Sequence, residues 1–380
     1  MIGSEKMYKV MTPGPTQVKE NVRMSMVFER ENPDIDESFC EFYHETCSML
    51  SKFFNTEKEF YILGGEGILG LEAACASLTE SGDRVLVIDN GIYGKGFEDF
   101  VKMYAGNPIL YTVDYKNTVD IRKLKEYLEK DHDFKYATVV HCDTPSGILN
   151  DVESISDLLS EYGIMTVVDS VSASFGNPLS MGNIDILCLG SQKALSAPPG
   201  LTMVGVSDRA KEVMYNRKTP IASFYANLST FRTYYEDKWF PYTMPVYDIY
   251  ALRTALDNVF DDKDIFERHH RIASAVRKAI VESGLTLYTE SGFSDTVTVF
   301  NVPEGISSAD IMNIMKDKYN ILVAGSFDVM AGKVIRIGHM GENCNMSDVF
   351  DTLNALENAL TELGCDLKCP LGETFMKEIL

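Results

Sequence analysis

The stretch Asp185-Ile-Leu-Cys-Leu-Gly-Ser-Gln-Lys-Ala-Leu-Ser-Ala-Pro-Pro-Gly200 decides the reading. Ile186 to Leu189 is apolar throughout, as a buried strand requires. Gly190, Ser191 and Gln192 then turn the chain, Lys193 follows, and Pro198, Pro199 and Gly200 stop any further regular element. A lysine at the mouth of a buried strand is costly if it stays charged without a partner. Burial lowers its pKa, which suits an amine that must attack a carbonyl at neutral pH. The plainer alternative is a lysine that reaches out of a core strand to water.

Upstream, Gly163-Ile-Met-Thr-Val-Val-Asp-Ser-Val-Ser-Ala-Ser-Phe-Gly176 reads as a second buried strand, ending in Asp169. A carboxylate at the carboxyl end of a parallel strand stands where open α/β sheets place their ligands. One strand end offers a lysine and the other an aspartate. That is the pair a pyridoxal phosphate site needs, an amine for the aldehyde and an acid for the ring nitrogen.

The segments Arg84–Asp89, Ala137–Val140, Gly163–Asp169 and Ile184–Leu189 alternate with helical stretches. This predicts an α/β fold with a largely parallel sheet covered on both faces, and Thr202–Ser207 reads as a returning strand. Phe60–Leu63 is a further strand. It runs into Gly64-Gly-Glu-Gly-Ile-Leu-Gly70 and a helix over Leu71–Leu78. Gly65, Gly67 and Gly70 match the dinucleotide-binding spacing, and Asp89 falls near the ribose-binding position. A nicotinamide dehydrogenase therefore competes on this evidence, as does a tight turn with no ligand. Glycines before a helix let backbone N–H groups approach any anion, a phosphate included. Tyr93 follows among glycines, and His141-Cys-Asp-Thr-Pro-Ser-Gly147 makes a polar loop after another strand. Every candidate lies just past a strand, so all are expected on one rim. His141 reads as a packed, hydrogen-bonded residue, since Lys193 already fills the role of base.

Taken in order, these segments closely resemble class V aminotransferases, and within them the alanine–glyoxylate and serine–pyruvate branch. The resemblance runs from Thr12-Pro-Gly-Pro15 to Arg336-Ile-Gly338. It implies the type I fold of pyridoxal-phosphate-dependent transferases: a mostly parallel central sheet with helices on both faces, plus a smaller C-terminal α+β domain. It implies that Lys193 bonds pyridoxal 5′-phosphate and moves the substrate proton, and that Asp169 holds the ring nitrogen. By the same resemblance Tyr93 stacks on the ring, Val171 contacts it, and Thr144 lies beside its ring oxygen. Gly65, Glu66, Gly67 and Gln192 would hold the phosphate together with the partner subunit's Thr243. Phe240 stands where the family has a tyrosine, which removes one hydroxyl donor from that contact across the dimer. The implied assembly is a homodimer with sites at the interface, and an N-terminal arm lying across the partner.

Arg336 alternates with Ile335 and Ile337, so it points to the opposite face from both. A guanidinium there can grip a substrate carboxylate with two parallel hydrogen bonds. The expected reaction is ping-pong transamination between a small amino acid, alanine or serine, and a 2-oxo acid, glyoxylate or pyruvate. A 2-aminoethylphosphonate–pyruvate transaminase is an alternative, and the segment Glu31–Asp36 departs from the His-Arg type common in glyoxylate enzymes. A cysteine desulfurase is another. Its usual histidine is Gln192 here, however, and Gly325–Lys333 holds no cysteine.

Three parts are expected: an arm over 1–20, a large cofactor-binding domain over 21–262 and a small domain over 263–380. The small domain reads strand (Thr296–Asn301), helix (Ser308–Lys318), strand (Ile321–Ala324), strand (Lys333–Ile337) and helix (Ser347–Leu363). The 380 residues suffice for two cores. A net charge of −21 argues against nucleic acid and anionic membranes as partners. The eight cysteines include no C-x-x-C pair, so no metal site is expected and a reducing, cytoplasmic setting is. Met1–Lys6 has no apolar leader region.

Overall fold

The computed structural model describes residues 7–380. Its centre is a seven-stranded sheet. In spatial order the strands are Glu59–Gly64, Leu201–Val206, Ile186–Gly190, Met165–Asp169, Tyr136–Val140, Arg84–Asp89 and Asn107–Thr112. Only Leu201–Val206 runs against the rest, pairing antiparallel with both of its neighbours. The three strands Tyr136–Val140, Met165–Asp169 and Ile186–Gly190 are buried at every residue, which explains their unbroken apolar character. Because six strands share one direction, the segments after Gly64, Asp89, Val140, Asp169 and Gly190 emerge on the same rim.

Two helices begin on this rim. The helix expected from Leu71 starts at Gly67, because the Glu66 side chain caps it by accepting from the Ile68 N–H. Tyr93 lies in the first turn of a helix over Ile92–Met103. Gly94 does not break that helix, and a Cβ there would stand 2.8 Å from the Ile88 carbonyl. Its glycine serves close packing of helix on strand.

Two long helices, Val246–Asp261 and Ile265–Glu282, follow the sheet. Arg268 clamps the break between them by pairing with Asp262. Beyond it, Val297–Asn301 and Val334–Gly338 pair antiparallel, with helices Ser308–Tyr319, Met346–Glu362 and Leu371–Ile379 around them. One hydrophobic core draws on residues from Val22 to Ile265 together with Met340. A second draws on Met11 and on residues from Ile272 to Phe375.

From Lys9 onward the arm makes backbone contacts with its own chain. Lys9–Val10 pairs in parallel with Ile321–Leu322, and the Gly338 N–H donates to the Met11 carbonyl. The expected strand Ile321–Ala324 is short because its regular pairing is with this two-residue piece. Residues 1–6 of the expected arm lie outside the described residues.

Candidate active site

One pocket, with about 400 Å³ of empty space, is lined by Glu66, Gly67, Ile68, Leu71, Tyr93, Asp169, Val171, Ser172, Gln192 and Lys193. Seven of the residues singled out in the sequence thus meet at one place. Their approach is close. A Cβ on Gly67 would fall 2.7 Å from a Val171 methyl, so only glycine lets this helix start so near the loop after Asp169.

Lys193 enters from the end of its strand, and its Nζ donates to the Pro13 carbonyl at 2.7 Å. Burial lowers its pKa to about 8, and the positive charge of Arg336 pushes the same way. Asp169 is 6% exposed, and burial raises its pKa to about 7. The Val171 N–H donates to Asp169 Oδ1 at 2.9 Å and fixes the carboxyl's orientation. An amine and a carboxyl with pKa values displaced toward neutrality, in one pocket, form the pattern of a reactive centre.

Arg336 is 9% exposed. Its Nε donates to the Gly325 carbonyl at 2.6 Å, and among the described residues it pairs with no carboxylate. A buried guanidinium without an anion is poised to take one. Tyr93 and Asp143 both act on it electrostatically, which places it beside the pocket wall.

Other expected residues stand elsewhere. Thr144 is buried in the loop after Val140 and does not line the pocket. Thr243 is exposed, and its hydroxyl donates to Asp34 at 2.8 Å. Phe240 is buried against Phe39, Tyr43 and Tyr234. His141 is packed as expected. It shares a hydrogen bond with Ser170, and burial lowers its pKa to about 4.

Asp143 went unnoticed in the sequence. It is fully buried, accepts from the Tyr93 N–H at 3.0 Å and from the Ser146 hydroxyl at 2.8 Å, and so ties the Tyr93 helix to this loop. Its place ahead of Thr-Pro-Ser-Gly was the available signal, since aspartate in a turn captures nearby backbone donors. Asp89, the ribose candidate, is already committed to the hydroxyls of Thr112 and Tyr115. A desulfurase needs a reactive thiol, yet among the described residues no cysteine lines the pocket. Cys142, the one whose charge would act on Lys193, has its pKa pushed up to about 12 by burial.

With this geometry in place, comparison with known proteins is decisive. Residues 17–336 match the family described as aminotransferase class-V. The chain belongs to that family. It is 36% identical over 380 residues to an uncharacterized aminotransferase of Methanocaldococcus jannaschii, covering 98% of this chain and 97% of that one. It is 33% identical over 347 residues to the pyridoxamine–pyruvate transaminase of Mesorhizobium japonicum, covering 89% and 88%. A crystal structure of ureidoglycine–glyoxylate aminotransferase from Bacillus subtilis superimposes with a TM-score of 0.94 at 27% identity, covering 98% of each chain. The type I transferase fold expected from the resemblance is therefore the fold of this chain, and the protein is an aminotransferase. The glycine loop therefore lies in an aminotransferase rather than in a dehydrogenase.

Pyridoxal phosphate is the cofactor of this class of enzyme. Its pyridine half suits the pocket: an amine of lowered pKa for the carbonyl carbon, a buried carboxyl for the ring nitrogen, and Tyr93 and Val171 as walls. At the glycine loop the helix start offers backbone donors, but the side chain there is a carboxylate.

Proposed function

We propose that the chain exchanges the amino group of a small amino acid, alanine or serine, with a 2-oxo acid, glyoxylate or pyruvate, in a ping-pong cycle. The observation that carries this is the buried, anion-free guanidinium of Arg336 beside a pocket that holds both Lys193 and Asp169. The bound cofactor supplies an electron sink for the carbanion formed at the substrate's Cα. Arg336 would take the substrate carboxylate in two parallel hydrogen bonds and so orient the Cα–H bond. Lys193, as the free amine, would remove that proton and return it at the cofactor's C4′ carbon. Asp169 would keep the ring nitrogen protonated, and Tyr93 and Val171 would hold the ring in place. Gly65, Glu66, Gly67 and Gln192 would form the far end of the seat.

A second reading has pyridoxamine as donor and pyruvate as acceptor, the pair in the name of the Mesorhizobium relative. The Glu66 carboxylate at the glycine loop favours it.

The proposal extends to a homodimer whose Thr243-bearing surface meets the partner's pocket, and to a cytoplasmic enzyme. Among the described residues, no helix is long and apolar enough to cross a membrane. The division into a large part over 21–262 and a small part over 263–380 rests on the two separate cores.

Separate half-reactions with a panel of amino and 2-oxo acids, followed by cofactor absorbance, test this reading. Lys193→Ala should slow the half-reaction by about 10²–10⁴-fold, the usual worth of a general base. Arg336→Ala should raise KM for every carboxylate substrate while cofactor affinity holds. Unchanged KM in that variant would refute its assigned role.

A further inference from the structure

The side chains at the far end of the seat turn acceptors toward the ligand, beside the backbone donors of the helix start. Glu66 caps a twelve-residue helix, and its Oε1 already accepts the Ile68 N–H at 3.1 Å. The Gly65 N–H is likewise spent, on the Gly200 carbonyl. Gln192 is 6% exposed, and its Nε2 donates to Glu66 Oε2 at 3.0 Å. That bond fixes which way the amide points and leaves Gln192 Oε1 buried without a partner. Among the described residues Lys193 is the only cation lining the pocket, and the carbonyl end of the ligand claims it.

A phosphate dianion offers acceptor oxygens and two negative charges. Here it would meet a carboxylate already in the anion position of the helix and an amide oxygen with no donor. Glu66 opens to solvent in the single chain, so its charge is partly screened. The hydrogen-bond inventory is not screened. A hydroxymethyl group brings one O–H donor and two acceptor lone pairs. It can donate to Glu66 or Gln192 and still accept from a backbone N–H.

We propose that this seat takes vitamin B6 in its unphosphorylated forms, pyridoxamine and pyridoxal, as exchanging substrate and product. Glu66 and Gln192 select a 5′-hydroxymethyl group over a 5′-phosphate. This rests on the reading of Lys193, Asp169 and Arg336 as an aminotransferase site and deepens its second form. The exchange balances without an outside oxidant. The C4′ amine of pyridoxamine passes to the carbonyl carbon of a 2-oxo acid, giving pyridoxal and an amino acid. C4′ rises from the amine to the aldehyde level, and the same two electrons reduce the oxo carbon. The water consumed at one carbon is released at the other.

The test is binding rather than turnover. The full chain is titrated separately with pyridoxal and with pyridoxal phosphate. Absorbance gives each Kd, and borohydride reduction followed by peptide mass analysis gives the site of attachment. The expected result is attachment at Lys193, with pyridoxal bound at least tenfold more tightly than its phosphate. In Glu66→Gln, which keeps a capping oxygen, the preference should fall at least tenfold, mainly through gain of the phosphate form. A wild-type chain that prefers the phosphate, or a preference untouched by Glu66→Gln in a variant of unchanged Tm, overturns the inference while leaving the site reading intact. Failure of both ligands to attach at Lys193 overturns the two together.

Discussion

Asp169 shows how a single buried carboxyl couples the site to stability. In the unfolded chain it titrates near the ordinary aspartate value, whereas in the fold burial raises it to about 7. Between about pH 4 and that value the folded state binds the extra proton. By linkage, the Asp169 contribution to stability falls as pH rises through this window and is flat above it. Asparagine keeps an oxygen for the Val171 N–H but has nothing to titrate. Cofactor-free Asp169→Asn should therefore match the wild type near pH 4 and exceed it above pH 7, with a slope no steeper than about 1.4 kcal/mol per pH unit. Urea unfolding at several pH values reads this directly. A pH-independent difference would show that Asp169 is not titrating as described. The same variant should lose activity, because a neutral amide cannot hold a protonated ring nitrogen. Stability gained with function lost is the signature of a charge kept for chemistry.

The arm and the lysine strand form a unit that local sequence could not disclose. Lys193 was legible because an apolar strand, a polar turn and a proline stop all lie within sixteen residues of one another. The sheet was legible for the same reason, since fully buried parallel strands must be apolar at every position. The docking of the arm joins residues about 180 apart. The Thr16 N–H donates to the Gln192 carbonyl at 3.0 Å, and the Thr16 hydroxyl to the Lys193 carbonyl at 2.9 Å. Asp143 escaped for a similar reason: its partner Tyr93 lies fifty residues away. Gly14 sits at the crux, with φ at +106° and a notional Cβ 2.4 Å from Lys193 Cδ. Gly14→Ala is thus strained in its own backbone and collides with the lysine side chain. It should cost on the order of 2 kcal/mol of stability and slow attachment of an aldehyde at position 193. Gly305→Ala has a similar positive φ with open space around it, and so serves as a control for backbone strain alone. Equal attachment rates in the two variants would remove the arm from any part in positioning Lys193.

At the scale of the whole molecule, the surface near Thr243 is unlike the rest of a chain that carries a net charge of −21. Phe224, Tyr225 and Trp239 are each more than half exposed, as are Val27, Phe28 and Ile35. Tyr225 packs at a tilt against Tyr242, next to Thr243, whose hydroxyl reaches Asp34 beside Ile35. Exposed aromatics in contact, as Phe224 and Tyr225 are with each other and with Tyr242, are costly to leave in water and favour a partner surface. Ile68, which lines the pocket, is likewise 40% exposed. The occupant that fits is a second copy, which would cover Glu66 and close the open end of the seat. Wild-type protein should therefore sediment as a dimer at micromolar concentration. Phe224→Glu combined with Trp239→Glu should sediment as a monomer with an unchanged far-ultraviolet circular dichroism spectrum, because neither side chain belongs to a core. If the partner completes the seat, that monomer binds its B6 ligand at least tenfold more weakly although Lys193, Asp169 and Arg336 are intact. A monomer with full affinity would mean that each chain carries a complete site, and the aromatic surface would then need another occupant.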